Sequence, residues 1–151
     1  MNNADQIEYW NGPAGQKWVD QSDRLDAMLA PFADKVIAAA ALTPGEAVMD
    51  IGCGAGALTL RAAAKVGAEH GALGVDVSAP LIALARARAA EAKAPARFEL
   101  ADASAFTAPD PADIVISRFG VMFFEDPAAA FANIRQSVKP GGRLAFACWQ
   151  A

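Results

Sequence analysis

The sequence has little cysteine, histidine or basic charge, and no long apolar run. Its 151 residues include two cysteines, one histidine, and 13 Lys and Arg against 17 Asp and Glu, for a formal net charge of −4. This balance argues against a nucleic-acid partner, because binding along a phosphate backbone requires clustered cations. No window approaches the roughly 18 consecutive apolar residues of a membrane helix, so no membrane span is expected.

The two cysteines, Cys53 and Cys148, lie in apolar stretches, and residues 1–6 lack the basic head and apolar core of a signal peptide. Both features are typical of reduced thiols in a cytoplasmic protein, so we expect that location and no disulfide. Apolar residues make up 54% of the chain and charged residues 20%, which is ordinary globular usage. We therefore expect one compact domain, and we predict no metal site.

Short apolar runs alternate with helical patterns along most of the chain. The predicted strands are Ala47–Ile51, Gly71–Val75, Arg97–Leu100, Asp113–Ser117 and Arg143–Trp149. The predicted helices are 57–66, a helix capped by Ser78 that runs to about Lys93, and a helix capped by Asp126 that carries Phe131, Ile134 and Val138 and is closed by Pro140-Gly141-Gly142. Alternation of this kind predicts a doubly wound α/β fold, with a mostly parallel sheet covered by helices on both faces.

Apolar residues in the first part of the chain recur at spacings of three and four. They are Leu25, Met28, Leu29, Phe32, Val36, Ile37 and Ala40. This spacing predicts helical segments that are interrupted at Pro31. We divide the chain into an N-terminal helical segment, residues 1–42, and a core, residues 43–151.

A glycine cluster, Asp50-Ile51-Gly52-Cys53-Gly54-Ala55-Gly56, joins the first strand to the next helix. Glycine there allows close approach of a ligand to the backbone, and the helix N-terminus favours an anion. The spacing of Gly52, Gly54 and Ala57 also fits a dinucleotide fingerprint, with Asp76 about 20 residues on. Two acids favour adenosine with an amino acid tail instead, namely Asp50 before the first glycine and Asp102 after the third strand.

Four segments together resemble class I S-adenosylmethionine-dependent methyltransferases. Residues 48–56 resemble the first motif, 74–78 the second, 100–103 the third, and 140–144 the turn before the fifth strand. The resemblance implies a Rossmann-like sheet of order 3-2-1-4-5 and S-adenosylmethionine as the cofactor, with S-adenosylhomocysteine as the product. It also implies methyl transfer to a small-molecule acceptor that the sequence does not identify.

The resemblance assigns cofactor contacts residue by residue. Gly52, Gly54 and Gly56 would line the methionine part, Asp76 would accept hydrogen bonds from the ribose hydroxyls, Asp102 would bind the adenine amino group, Val77 and Ala103 would border the adenine ring, and Ser117 and Arg118 would lie where the family's backbone holds the methionine amino end. Asp50 either stabilises the loop or contacts the ligand, and these alternatives stay open.

Aromatic residues of the N-terminal segment form a further candidate contact. The stretch Tyr9–Pro13 with Trp18 resembles the opening of small-molecule methyltransferases of this class, in which a helical segment closes over the cofactor. Trp10 and Trp18 either face the sulfonium through cation–π attraction or simply pack. For the cluster Phe119, Met122, Phe123 and Phe124 we favour packing over a substrate pocket.

No residue stands out as a catalytic base, and a nucleophilic role for Cys53 is disfavoured because small residues of any kind occupy such positions between glycines. Methyltransferases of this class normally add two strands after the fifth, so we expect a sheet without them. The open edge of the fifth strand, with Leu144, Phe146 and Trp149, is expected to pair with a second copy or a neighbouring segment. A non-catalytic S-adenosylmethionine-binding domain and an NAD-dependent oxidoreductase are the alternative functions.

Overall fold

The computed structural model describes residues 2–150. Five strands within this range form one parallel sheet. The strands are β1 (Val48–Ile51), β2 (Ala72–Asp76), β3 (Ala96–Leu100), β4 (Ala112–Arg118) and β5 (Val138–Ala147). The helices are α1 (Asn3–Asn11), α2 (Pro13–Asp20), α3 (Ser22–Ala40), α4 (Ala57–Val66), α5 (Ala79–Ala92) and α6 (Pro127–Arg135). The sheet order β3-β2-β1-β4-β5 confirms the predicted α/β class and topology.

Successive side chains of each strand point to opposite faces of the sheet and so enter two different cores. On β1, Val48 packs with α3 and α4, whereas Met49 packs in the core that contains Ile134 of α6. Helix α5 covers the outer part of the sheet, where Ile82 packs in a cluster with Phe98 of β3. Both faces of the sheet are therefore covered.

Helix α3 corrects the prediction that Pro31 interrupts the N-terminal helix. The helix runs without a break from Ser22 to Ala40, with Pro31 inside it. Pro31 cannot donate a hydrogen bond to the carbonyl of Ala27, but both residues are exposed, so the missing bond lies on the solvent side. Burial of Leu29 and Val36 on either side of the proline holds the helix to the core.

Strand β5 begins earlier than the sequence predicts, and Val138 lies in the strand, not in the preceding helix. Val138 pairs with Ala112, and regular pairing resumes at Arg143 opposite Ile114. The predicted turn at 140–142 therefore forms a bulge inside β5, where Gly141 has a φ of 78°. An edge strand tolerates such a bulge and its proline, since one side needs no hydrogen-bonding partner.

The parallel register brings the ends of the central strands together. Asp50 of β1 lies opposite Gly74 of β2 on one side and Ile116 of β4 on the other. From β1 the chain passes through α4 to β2, which lies beside β1 in the sheet. The chain later enters β4, which lies on the opposite side of β1. The strand order therefore reverses at β1. Ligands of open α/β sheets bind at the carboxyl ends of the strands at such a point.

Among residues 2–150, no helix is both long and apolar enough to cross a bilayer.

Candidate functional site

A cavity of about 340 Å³ lies at the carboxyl ends of β1, β2 and β4, with α1 and α2 over it. Its size falls in the range of small-molecule sites. Ten of the twelve residues predicted to bind a cofactor line this cavity, namely Trp10, Trp18, Asp50, Gly52, Gly54, Asp76, Val77, Asp102, Ala103 and Arg118. Residues more than a hundred positions apart in the chain are thus brought to one site.

The glycine loop forms the floor of the cavity. Gly52 has a φ of 66°, and a Cβ built there would lie 2.5 Å from the Cα of Gly120. Gly54 has a φ of 53°, and a Cβ built there would meet no atom of the described residues, 2–150, within 4 Å. Gly52 is therefore required by packing and conformation, whereas Gly54 keeps its backbone accessible from the cavity.

Asp76, at the end of β2, is held by the loop that it faces. Its Oδ2 accepts a hydrogen bond of 2.8 Å from the backbone N–H of Gly54, and its Oδ1 accepts one of 2.9 Å from the N–H of Ser78. Burial raises the pKa of this carboxyl, while the backbone N–H donors of Ser78, Gly54 and Val77 act in the opposite direction. Each oxygen retains a lone pair for a further donor, so the fixed carboxyl can accept from a ligand hydroxyl.

Asp102, just after β3, is a second acceptor on the cavity wall. Its Oδ1 accepts a hydrogen bond of 2.9 Å from the N–H of Ser104, and its Oδ2 accepts a short one from the side-chain amide of Asn3 in α1. The same amide also donates to the hydroxyl of Ser104 at 3.2 Å. The carboxylate predicted to bind an amino group therefore already holds an N–H donor of the chain itself.

Asp50 is a buried carboxyl with one oxygen satisfied and one not. Thr59 of α4 donates to Oδ2 at 2.7 Å, while Oδ1 is buried and has no hydrogen-bonding partner among residues 2–150. Burial raises the pKa of Asp50 to about 7, opposed by the Thr59 hydroxyl and by the positive charge of Arg118. A buried oxygen without a partner requires an explanation, and a donor supplied by a ligand is one.

Two predicted contacts, Gly56 and Ser117, lie outside the cavity lining. Ser117 is fully buried, donates to the carbonyl of Ile51 at 2.7 Å, and accepts from the N–H of Gly120 at 3.0 Å. It therefore supports the glycine loop from behind. Gly56 precedes α4 and packs beside Phe98, which a Cβ would approach to 2.9 Å.

Helix α1 is fixed over the cavity by hydrogen bonds to the start of α5. Asn11 donates to the carbonyl of Val77 at 2.8 Å and accepts from the N–H of Ala79 at 2.9 Å. Ser78, predicted to cap α5 with its side chain, instead donates to the carbonyl of Trp10 at 2.7 Å. Asn11 of α1 therefore supplies the side-chain cap of α5. The contacts between α1 and the start of α5 place Trp10 above the glycine loop.

The aromatic residues over the cavity form one connected group. Trp10 makes edge contacts with Trp18 at 5.5 Å and with Phe123 at 6.0 Å between ring centroids. The two tryptophans pack against each other and also line the cavity, so packing is observed and the cation–π contact stays a prediction. The cluster Phe119, Met122, Phe123 and Phe124, for which packing was favoured, also lines the cavity.

Among the lining residues that sequence reasoning missed are Asn3, Gln6, Asp26 and Met28 of the N-terminal helices. Asp26 carried a signal, because it is an acid beside Leu25 and Leu29 in an otherwise apolar helix stripe. Asn3 and Gln6 carried none, since only the tertiary position of α1 brings them to the site.

Cys53 is buried in the cluster beneath α5, and burial raises the pKa of its thiol well above the usual range. A protonated thiol is a weak nucleophile, which argues against covalent catalysis by this residue. Within residues 2–150, no cluster of three His, Cys, Asp or Glu side chains has a geometry suited to a metal ion.

Comparison with known proteins decides between the two cofactor classes that the glycine spacing leaves open. The family model of a methyltransferase domain matches residues 48–142, a range that contains the glycine loop, Asp76 and Asp102. The chain belongs to this methyltransferase domain family. The dinucleotide reading of Gly52, Gly54 and Ala57 is thereby set aside, and S-adenosylmethionine is the cofactor of the domain.

Individual relatives agree with the family match. The chain is 34% identical over 131 residues to an uncharacterised protein of Mycobacterium tuberculosis, covering 86% of this chain and 47% of that protein. It is 34% identical over 128 residues to the aklanonic acid methyltransferase of a Streptomyces species, covering 82% of this chain and 58% of the enzyme. The chain therefore spans about half the length of these relatives.

A solved structure supports the same fold and cofactor. A methyltransferase of Geobacter sulfurreducens in complex with S-adenosyl-L-homocysteine is similar with a TM-score of 0.63 at 27% identity. The similarity covers 77% of this chain and 47% of that protein.

Proposed function

We propose that this chain binds S-adenosylmethionine in the cavity at the carboxyl ends of β1, β2 and β4, and that the protein transfers the methyl group to a small-molecule acceptor. The observation that carries the proposal is the pairing of two fixed acceptors, Asp76 and Asp102, with the accessible backbone of Gly54 around one cavity. In this proposal Asp76 is the partner of the ribose, Asp102 is the partner of the adenine amino group, and the backbone at Gly54 is the partner of the amino acid tail.

The contributions of the chain are binding, orientation and exclusion of water. Asp76 accepts from the ribose hydroxyls and Asp102 from the adenine amino group, while Val77 and Ala103 border the adenine. Bound S-adenosylmethionine supplies an electrophilic methyl group on a sulfonium. Trp10, Trp18 and Phe123 shield that group from water, and their ring faces favour a positive charge by about 0.5–2 kcal/mol. We propose that residues 1–42 form the cap that carries this shield.

Displacement at a methyl group depends mainly on alignment of the two reactants and on removal of water, so a dedicated nucleophile of the protein is not required. A base is needed only when the acceptor must lose a proton early. Catalysis by this protein is therefore proposed to rest on positioning.

The wall of the cavity favours an apolar acceptor. Met28, Phe119, Met122 and Trp149 line it alongside the proposed cofactor residues, and the rings of Phe119 and Trp149 stack at 4.6 Å. Such a surface binds an aromatic or other apolar molecule better than a small polar amine, because apolar area is removed from water on both partners. An aromatic phenol or carboxylic acid is the acceptor class we propose.

An acceptor panel tests this function. The protein is incubated with S-adenosylmethionine and either aromatic phenols and acids or small polar amines, and formation of S-adenosylhomocysteine is measured. Turnover with aromatic acceptors that is lost in Asp76→Ala supports the proposal. Cofactor binding without turnover on any acceptor favours the non-catalytic binding domain for this chain.

We also propose that the open edge of β5 pairs with a second copy. Leu144, Phe146 and Trp149 are exposed by 42%, 46% and 60% along or just after this strand, and such edges tend to find partners. Light scattering at micromolar concentration is expected to give twice the 15.6 kDa mass of the chain. A mass of one chain overturns the dimer. Within residues 2–150, Cys53 and Cys148 form no disulfide, which is consistent with the cytoplasmic location that we propose.

A further inference from the structure

Phe119, the first residue after β4, has an unusual backbone conformation. Its φ is 65°, in the left-handed region that bulky side chains rarely adopt. Among residues 2–150, the other non-glycine residues with positive φ are Ala41 and Lys93, and both end helices, where this conformation is common. Strained residues cluster at binding and active sites, so a phenylalanine in a conformation that favours glycine points to a role for its ring.

The neighbouring backbone holds Phe119 in this conformation. Its N–H donates a hydrogen bond of 2.9 Å to the carbonyl of Ala147 at the end of β5. The next residue, Gly120, lies so close to the glycine loop that a Cβ built on it would be 2.2 Å from the carbonyl oxygen of Ile51. The N–H of Gly120 also donates to the hydroxyl oxygen of Ser117 at 3.0 Å. The chain is therefore fixed on both sides of Phe119, directly beside the proposed cofactor site.

The ring of Phe119 lies on the wall of the cavity and is held by two other rings. It stacks on the indole of Trp149, with ring centroids 4.6 Å apart and planes 5° from parallel. The ring of Phe32, in α3, meets it edge-on at 5.1 Å. Because the orientation of this flat surface is set before a ligand arrives, a ligand binds to it without the entropic cost of ordering a side chain.

We propose that Phe119 is a specificity-determining residue for the methyl acceptor, and that its fixed ring stacks on a flat aromatic acceptor and thereby selects it over a saturated one. The proposal rests on the proposed function and deepens it, since it assigns the choice among apolar acceptors to one side chain. The cavity wall as a whole removes apolar area from water for either kind of acceptor. Stacking, by contrast, requires a ring with π electrons on both partners.

The test compares two probes, 2-naphthol and its saturated analogue decahydro-2-naphthol, on protein saturated with S-adenosylhomocysteine. Calorimetry of the unchanged protein is expected to give roughly 3- to 10-fold higher affinity for 2-naphthol, the size of a stacking contact. Phe119→Leu keeps an apolar side chain without a ring, so this ratio of affinities is expected to fall to about one. The affinity of Phe119→Leu for S-adenosylhomocysteine is expected to stay within about twofold. Phe131→Leu is the matched control, since Phe131 of α6 packs against the core that contains Ile134, and it should keep the ratio.

A ratio that Phe119→Leu leaves unchanged overturns the proposal, and so does an unchanged protein that binds both probes equally or binds neither. A parallel loss of affinity for S-adenosylhomocysteine means that Phe119 supports the cofactor cavity structurally, which also overturns it. Failure of the unchanged protein to bind S-adenosylhomocysteine contradicts the proposed function itself. If Phe119→Leu does not fold, Phe119→Gly, which adopts a positive φ without steric cost, decides by the same ratio, which is expected to fall and which overturns the proposal if it is retained.

Discussion

The side-chain amide of Asn3, at the start of α1, donates a hydrogen bond to Oδ2 of Asp102, just after β3. The backbone N–H of Asn3 also donates to Glu125 at 3.1 Å. An NH₂ group of the chain thus takes the position proposed for the amino group of adenine. An adenine amino group that approaches Oδ2 of Asp102 from the same side competes with this internal hydrogen bond.

Removal of the Asn3 amide is therefore expected to tighten ligand binding. Asn3→Ala should lower the dissociation constant for S-adenosylhomocysteine by roughly fivefold, since one hydrogen bond of about 1 kcal/mol no longer competes. Isothermal titration calorimetry measures the change. Gln16→Ala, which removes an exposed hydrogen bond to Asp20 within α2, is the control and should leave the constant unchanged. Unchanged or weaker binding in Asn3→Ala would show that the contact closes the site instead of competing with the ligand.

Substitution by alanine is expected to have different effects at two glycines of the loop. Gly54→Ala is expected to lose at least about tenfold in ligand affinity while the melting temperature falls by ~2–8 °C, the cost of a positive φ in alanine. Gly52→Ala should lower the melting temperature further, because its Cβ would also meet Gly120 at 2.5 Å. Thermal melts and titrations of both variants check this, and an intact affinity in Gly54→Ala contradicts the proposed closeness of ligand and backbone.

The buried carboxyl of Asp50 should make stability fall with pH. Its folded pKa of about 7 lies above the ordinary value of 3.8, so the folded chain holds an extra proton between these values and loses stability as pH rises through that window. Besides burial, the groups acting on it are Thr59, Arg118 and Asp76. Asp50→Asn cannot ionise, and its melting temperature relative to the unchanged protein is expected to be at least ~4 °C higher at pH 8 than at pH 4.

Differential scanning fluorimetry at both pH values measures this difference. Asp110→Asn, a change at an exposed loop position, is the control and should follow the unchanged protein. A melting difference for Asp50→Asn that is the same at pH 4 and pH 8 would mean that Asp50 is ionised in the folded chain throughout.

The ion pair between Glu46 and Arg143 should show the opposite pH dependence. Arg143 donates to both carboxylate oxygens of Glu46, at 2.6 and 2.9 Å, and its Nε donates to the carbonyl of Ala40. These contacts lower the pKa of Glu46 to about 2, so the stability they give is present above pH 4.5 and is lost as pH falls toward 2.

Glu46→Gln is expected to melt ~2–4 °C lower than the unchanged protein at pH 7, which is about 1 kcal/mol for a partly exposed pair. The difference in melting temperature between Glu46→Gln and the unchanged protein should be smaller at pH 3.5. Asp34→Asn, which removes the exposed partner of Arg61, should have little effect at either pH. A gap for Glu46→Gln that does not change with pH would assign the loss to packing instead of charge.

Local patterns predicted the strands and the glycine loop well, because each depends on neighbouring residues. The run from Val48 to Gly56 is a buried strand followed by a turn that needs positive φ. The apolar residues predict the strand, and the glycines predict the turn. Pro31 misled the prediction because its effect on a helix depends on which side faces solvent. The start of β5 was missed because Val138 gains its strand conformation from pairing with Ala112.

The candidate site also has a part that the sequence predicts and a part that it does not. Asp50 is the penultimate residue of β1, Asp76 ends β2 and Asp102 follows β3. The topology therefore brings them together once the sheet is predicted. Asn3 and Asp26 reach the cavity only because α1 and α3 pack over it, and no local spacing specifies that placement. Contacts that depend on how the N-terminal helices dock are thus the part that sequence reasoning does not supply.

Calorimetric titration with S-adenosylmethionine, S-adenosylhomocysteine and NAD tests the central claim most directly. Saturable binding of the two adenosyl ligands, weakened at least ~100-fold in Asp76→Ala by loss of two charge-assisted hydrogen bonds, is the predicted result, with Asp110→Ala as an exposed control that binds normally. Binding of NAD alone, or adenosyl binding that Asp76→Ala leaves intact, would contradict the account.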